Sequence, residues 1–254
     1  KFAESESLPC IKIDSFCGET VNKINKYPCD ILVLSSFGKI IPQEILQYPS
    51  ITPLNIHFSI LPLYRGASPI QSALLNGDNK TGISFMEMVE SLDEGPVFDA
   101  FEVEISYSDN RISLEEKLVT KAVNSIVDVL HRVSNGLQPV PQGDDCVSYC
   151  KKISKEDGRI NFSDTAVEIL NKYRAFSGWP GTFFEFKDIN IKVHGMHVIE
   201  ADSDDIPGSI IDVKKDGIYL RAVDSVIVIT HIQLPGKKII NSADIHNSYK
   251  DFFV

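Results

Sequence analysis

The sequence has no Cys-x-x-Cys pair, no long apolar run, no glycine-rich phosphate fingerprint and no surplus of basic residues. Its five cysteines (Cys10, Cys17, Cys29, Cys146, Cys150) form an odd set without paired spacing. They read as the reduced thiols of a cytosolic protein rather than a disulfide framework. Cys146 and Cys150 lack the second pair or H-x3–5-H that zinc spacing needs, so no metal is expected. No stretch of about 18 uncharged apolar residues occurs, which argues against a membrane span. No G-x-G-x-x-G follows any strand-like run, against a dinucleotide site of that type. Charge leans acidic, with 25 Lys+Arg against 35 Asp+Glu and a net of −10. Taken globally, that counts against a partner made of phosphates.

What is present is ordinary globular material: 254 residues, 43% hydrophobic, enough for one large domain or two smaller ones and too apolar for disorder. No internal repeat or low-complexity tract appears. The run DILVLSS (Asp30–Ser36) reads as a doubly buried parallel strand. IPQEILQYP follows as a brief helix between prolines, then LNIHFS (Leu54–Ser59) as a second strand. A helix is expected over about Ser68–Asn76, with strands at Thr81–Val89 and Val97–Ile105. Ser113-Leu-Glu-Glu116 reads as a capping box opening an amphipathic helix that stops near Gly136. Before Cys29 only PCIKID looks strand-like. Alternating strands and helices predict an α/β domain with a mostly parallel, Rossmann-like sheet.

From Leu137 to about Ile160, proline, glycine and charge take over, as in a connector running over a surface. A helix over roughly Ser163–Phe176 precedes SGWPG. The remainder is mostly short strands separated by turns such as Lys215-Asp-Gly217, which predicts a small β-barrel. The expected division is therefore 1–136, a linker at 137–160, and 161–254.

The densest chemistry is Asn55-Ile-His57, closing a strand and opening a loop with Ser59, Pro62, Arg65, Gly66 and Pro69. In an open α/β sheet ligands sit beyond the carboxyl ends of strands. Period-2 alternation places Asn55 and His57 on one face. An amide donor beside an imidazole is what a developing oxyanion requires, and Asp93, in SLDEGP, is the candidate carboxylate to orient the histidine. An isolated N-x-H describes a structural histidine equally well, with Asp93 a turn residue, and spacing does not separate the two.

The stretch Asn55-Ile-His57-Phe-Ser59-Ile60-Leu61-Pro62-Leu-Tyr-Arg65-Gly66-Ala-Ser-Pro69-Ile-Gln71 resembles the signature of the methionyl-tRNA formyltransferase family. Further segments agree in order: Gly77-Asp78 to Thr81-Gly82, Leu92-Asp93-Glu-Gly95, Lys152-Ile-Ser-Lys155-Glu156-Asp157, Arg174-Ala-Phe-Ser-Gly-Trp179-Pro180, and Leu-Pro-Gly236-Lys237-Lys238. The resemblance spans nearly the whole chain. Ile60 stands where the family has Leu. The family's opening strands and basic loop have no counterpart, so the first strands of the sheet are expected to be missing from a chain that starts at Lys1.

That resemblance implies transfer of a formyl group from 10-formyltetrahydrofolate to the α-amino group of methionyl initiator tRNA, with no metal. It implies a cytoplasmic protein of a bacterial or organellar translation compartment, a monomer, with an OB-like C-terminal tRNA-binding domain and no membrane partner. Asn55, His57 and Asp93 would be catalytic. Phe37, Gly38, Lys39, Ile40 and Ile41, with Ser59, Ile60, Leu61 and Pro62, would receive the folate. The isoleucines at 40 and 41 fit plain core packing as well.

Arg65, Lys237 and Lys238 would touch the acceptor. The acidity sits in residues 1–150, with 11 Lys+Arg against 20 Asp+Glu, whereas residues 151–254 hold 14 against 15. Local clusters at Lys151-Lys152-Lys155, Lys214-Lys215 and Lys237-Lys238 therefore remain able to meet phosphate, though they also suit a solvated surface. The alternatives are a formyltransferase acting on an amino-sugar nucleotide, sharing R-G-A-x-P-I-Q, and a non-catalytic RNA-binding module. Glycinamide ribonucleotide transformylases lack that pattern and rank lower.

Overall fold

The computed structural model describes residues 2–201 and 204–254; Lys1, Asp202 and Ser203 lie outside them. In chain order the first elements are α1 (Phe2–Ser5), α2 (Gly18–Ile24), β1 (Ile31–Ser35), α3 (Gln43–Leu46), β2 (Thr52–His57), β3 (Arg65–Gly66) and α4 (Pro69–Leu75). Next come β4 (Lys80–Glu87), β5 (Val97–Glu104), α5 (Arg111–Ser134), β6 (Tyr149–Cys150) and α6 (Ala166–Ala175). The chain ends with β7 (Thr182–Phe186), β8 (Ile189–Ile199), β9 (Ile210–Lys214), β10 (Gly217–Arg221), β11 (Val226–Gln233), β12 (Ile240–Asn241) and α7 (Ser242–Phe253). It divides into two compact units.

The first unit takes the chain up to Gly66, Gly82–Glu102 and Thr120–Tyr149. Its sheet has the order β1-β2-β4-β5. β1 runs parallel to β2, with Leu34 opposite Asn55 and Ser35 opposite Ile56. β4 lies antiparallel on the other side of β2, with Asn55 opposite Met86 and His57 opposite Ser84. The α/β, Rossmann-like class holds, with the parallel pair on one side and an antiparallel strand added, as mixed sheets allow. Leu54, Ile83 and Phe85 are fully buried in the core.

β1 is less covered than its apolar run suggests, with Val33 38% exposed, because it stands at the edge of this sheet. Pro9–Asp14, read as strand-like, runs without a ladder, and its Cys10 and Lys12 are exposed. Its Ile11 and Ile13 are only half-buried and no strand among the described residues pairs with it, so period-2 spelling alone does not make a strand. Gly82 admits no side chain, because a Cβ there would lie 2.2 Å from the Phe101 carbonyl on β5.

The second unit takes Ala67–Thr81, Val103–Val119 and Cys150–Val254. The α5 helix starts at Arg111, two residues before the expected capping box. Asn110 caps it, its Oδ1 accepting from the N–H groups of Ile112 and Ser113. Ser113 instead sits inside the first turn, its hydroxyl donating to Asp109 Oδ1 at 2.9 Å. The capping box proper belongs to α6, where Thr165 and Glu168 exchange side-chain and backbone hydrogen bonds.

The C-terminal strands form a six-stranded sheet in the order β7-β8-β11-β10-β9, with β12 beside β11. The registers β7–β8, β8–β11, β10–β11 and β9–β10 are all antiparallel. Lys214 opposite Gly217 leaves Lys215 and Asp216 as the two-residue turn, as the sequence predicts. Ile191, Val213, Ile218, Ile227, Ile229 and Ile232 are fully or almost fully buried in its core. Side chains of this size contribute about 1.5–3 kcal/mol each on full burial. The closing α7 helix, absent from the sequence reading, adds Ile245 and Phe253 to the same core. Asn241 caps it by accepting from the Asp244 N–H at 2.9 Å.

Candidate active site

β2 delivers two side chains at its carboxyl end. Asn55 is half-buried and His57 is 6% exposed. The Asn55 carboxamide has no hydrogen-bond partner among the described residues, although its backbone is held in ladders on both sides. His57 is placed differently. Its Nε2 lies 2.9 Å from the Tyr64 carbonyl oxygen, and a carbonyl only accepts, so Nε2 carries the hydrogen. Nδ1 faces Asp93 Oδ2 at 3.7 Å, beyond direct hydrogen bonding but within ion-pair range.

The expected role of His57 as donor to an oxyanion therefore does not match the ring's orientation. Both nitrogens face protein oxygens, Nε2 the Tyr64 carbonyl and Nδ1 the Asp93 carboxylate. Of Asn55 and His57, only Asn55 keeps a side-chain donor without a partner among the described residues.

Asp93 is held by its backbone as well as its charge. Its φ of +54° lies in the left-handed region, which Asp tolerates better than most residues. Oδ2 accepts the Gly66 N–H at 2.8 Å. The Asp93 and Gly95 carbonyl oxygens both accept from the Gln142 amide, at 2.8 and 2.7 Å. Gly95 has no room for a side chain: a Cβ would fall 1.8 Å from the Glu87 carbonyl.

Arg65, expected at the acceptor, is 8% exposed and committed internally. Its Nε and Nη2 donate to Gln142 Oε1 at 3.0 and 2.8 Å, and Nη1 donates to the Tyr149 hydroxyl at 3.1 Å. Tyr149 donates in turn to Glu94 Oε1 at 2.5 Å, which lies 3.5 Å from Arg65 Nη1. The guanidinium ties the Asp93 loop to residues 142–149 and is not turned outward.

Ser59 is fully buried. Its hydroxyl donates to the Leu63 carbonyl at 2.5 Å, and its own carbonyl accepts from Ser84 Oγ at 2.7 Å. Ser84 Oγ also accepts the Leu61 N–H at 3.1 Å. The Ser59–Pro62 segment is thus pinned to β4, with Leu61 buried and Ile60 and Pro62 half-buried. Its side-chain hydroxyl is spent, so apolar surface and backbone groups are what remain to meet a ligand.

The Phe37–Ile41 loop is open by contrast. Ile40 is 93% exposed, whereas Ile41 packs with Val21 and Ile45. Lys39 donates to the Ile13 and Asp14 carbonyls, and Phe37 stacks edge-on against Phe16. Ile41 is thus core, and Ile40 is not. Lys237 and Lys238, in the second unit, stand on an exposed turn closed by the Lys237 N–H to the Leu234 carbonyl at 3.0 Å. Among the described residues no group of three or more metal-ligating side chains gathers, and no helix is long and apolar enough to cross a membrane.

Gln142, Ser84 and Ser148 escaped the sequence reading. Ser148 Oγ accepts the Tyr64 N–H at 2.8 Å, and its carbonyl accepts the Arg65 N–H at 2.9 Å. Pro141-Gln-Gly143 has the composition of a connector, and nothing in composition reveals a buried bond.

Residues 13–130 match the formyl transferase family, and residues 152–250 match its C-terminal domain. A methionyl-tRNA formyltransferase of Sulfurihydrogenibium sp. (strain YO3AOP1) is 38% identical over 234 residues, covering 91% of this chain and 74% of that protein. The chain belongs to the methionyl-tRNA formyltransferase family. Solved structures carry the same fold. Methionyl-tRNA formyltransferase from Clostridium thermocellum aligns with a TM-score of 0.62 at 19% identity, over 79% of this chain and 87% of that one. HypX from Aquifex aeolicus, in complex with tetrahydrofolic acid, aligns at 0.64 and 21% identity over 85% of this chain. The chain spans only 38% of HypX's length. At the end of β2, His57 faces Asp93 of the loop after β4, and Asn55 lies one strand period from His57.

Proposed function

We propose that the protein transfers the formyl group of 10-formyltetrahydrofolate to the α-amino group of methionyl initiator tRNA. It does so as a monomer in the cytoplasmic or organellar translation compartment. The observation that carries the reading is the uncommitted Asn55 amide, one strand period from a buried His57 that faces Asp93. Family membership supplies the substrates.

The α-amine attacks the formyl carbon, a new N–C bond forms, and negative charge collects on the formyl oxygen. Asn55 donates to that oxygen from a strand whose ladders hold it in place, so little reorganisation is needed. The amine must lose one proton, and the donor nitrogen must gain one as its bond to the formyl carbon breaks. Asp93, next to His57 Nδ1, is placed to take the first and return the second.

The donor would lie along Ser59–Pro62 and the exposed Ile40 loop, where apolar surface and backbone groups suit a flat heterocycle. The acceptor's phosphates would meet Lys237 and Lys238 through the C-terminal unit, and Arg65 acts on the loop rather than on the acceptor. The proposed division is a catalytic domain at 1–136, a linker at 137–160 and a tRNA-binding domain at 161–254.

Purified protein given 10-formyltetrahydrofolate is tested with methionyl initiator tRNA and with amino-sugar nucleotides in parallel. Formyl transfer to the tRNA alone is expected. Transfer to an amino sugar alone would replace the acceptor, and transfer to neither would remove the enzymatic reading.

A further inference from the structure

We infer that Gln142 is a positioning residue of this active site, and that residues 142–149 form a strap holding the Asp93 loop in its working geometry. The inference rests on the catalytic reading of Asp93 given above.

Residues 90–96 have few ways to stay put on their own. They form a loop around an Asp in the left-handed region, and Leu92 is 64% exposed. What holds them is polar and comes from far along the chain. The Gln142 amide nitrogen donates both its hydrogens, one to the Asp93 carbonyl at 2.8 Å and one to the Gly95 carbonyl at 2.7 Å. Its amide oxygen accepts twice from Arg65, at 3.0 and 2.8 Å. Both hydrogens and both lone pairs of one carboxamide are thereby used.

Among uncharged side chains only a carboxamide offers two donors and two acceptor sites, and that of Asn is one methylene shorter. A hydroxyl is too short, and a carboxylate would repel the two carbonyl oxygens while still serving Arg65. Tyr149 adds a second tie through Glu94 at 2.5 Å, and Ser148 fixes Tyr64, whose carbonyl holds His57 Nε2. The strap thus reaches both members of the His57–Asp93 pair, through Gln142 to Asp93 and through Ser148 and Tyr64 to His57. A displacement of about 1 Å at a catalytic group is enough to cost about 10²-fold in rate.

Gln142→Met keeps the bulk and removes all four bonds; Gln142→Glu keeps the Arg65 acceptor and removes the two donors. Both variants are expected to lower kcat about tenfold or more, with KM for the formyl donor within about twofold. Tenfold corresponds to about 1.4 kcal/mol in the barrier.

Amide hydrogen exchange gives a readout that does not need activity. The Gly66 N–H reports Asp93 directly, since it donates to Asp93 Oδ2. The Leu61 and Met88 N–H groups donate to Ser84 Oγ and the Pro53 carbonyl and serve as neighbours that neither Gln142 nor Asp93 touches. Faster exchange at Gly66 with Leu61 and Met88 unchanged is the expected result in both variants. Unchanged kcat with unchanged Gly66 exchange would overturn the inference. So would a uniform rise at all three amides, which marks general loosening. If the wild-type protein transfers no formyl group, the exchange pattern still decides whether Gln142 places Asp93, and the proposed function fails separately.

Discussion

Replacing Asp93 by Asn separates the carboxylate's charge from its place in the fold. The amide oxygen of Asn can still accept the Gly66 N–H that Asp93 Oδ2 takes at 2.8 Å. Hydrogen bonds to charged groups contribute about 1.5–3 kcal/mol against 0.5–1.5 for neutral ones, so the loss to stability is about 1 kcal/mol. The left-handed φ of +54° costs Asn no more than Asp. Tm should therefore fall by only a few degrees.

Catalysis loses far more. In the proposed mechanism the carboxylate 3.7 Å from His57 Nδ1 takes the amine proton, and a neutral amide cannot. Removing a general base costs about 10²–10⁴-fold, equivalent to about 2.7–5.4 kcal/mol in the barrier. Single-turnover formyl transfer at saturating donor measures the chemical step, and thermal unfolding measures the fold. The expected result is a drop of at least about 10²-fold in the single-turnover rate with a small Tm shift. A variant within threefold of wild type would refute the assignment of Asp93 to proton transfer, and a collapse of Tm would show a structural residue instead.

Asn55→Ala removes an unpartnered amide donor at the end of β2 and should cut kcat by about 10²–10³-fold with KM for the formyl donor little changed, as steady-state kinetics would show. Gly95→Ala forces a Cβ to within 1.8 Å of the Glu87 carbonyl. It should destabilise the protein by about 1–3 kcal/mol in urea unfolding and slow turnover by shifting Asp93. Asp157 is held well below the usual carboxylate range, to about 2, by the Ser154 hydroxyl and N–H and then by Lys151. Its folded pKa is depressed, so the stability it contributes is present above its unfolded value near 3.8 and is lost as pH falls through about 2. The Tm gap between wild type and Asp157→Asn should be open at pH 6 and close towards pH 2. Screening of so exposed a cluster holds the contribution to about 1 kcal/mol.

The parts of the fold written in short-range pattern were legible, and the parts settled by distant bonding were not. β2, α4 and the strands from β7 to β11 follow from apolar periodicity and turn residues, because a strand or helix must bury one face wherever it sits. The start of α5 was misplaced by three residues, its cap being Asn110 rather than Ser113. Ser113 and Glu116 spell a capping box, but Asn110 is the better-placed cap, and both sequences satisfy the same local rule. α7 was missed because its apolar residues gain their meaning only from the core that Ile245 and Phe253 enter.

At the active site the same division recurs. Asn55, His57 and Asp93 stood out as residue types, and signature spacing raised them above chance. Neither residue type nor spacing reveals which way an imidazole points. The Tyr64 carbonyl occupies His57 Nε2 and leaves Nδ1 towards Asp93, so the mechanism proposed above gives the oxyanion to Asn55. Arg65 shows why a charged residue in a signature is ambiguous: its donors face Gln142 and Tyr149 rather than a ligand. Gln142 itself lies 49 residues from Asp93, in a stretch whose proline and glycine suggest a loop of no consequence. Proline and glycine describe how that backbone bends, and only the folded chain decides what a carboxamide at the bend can reach.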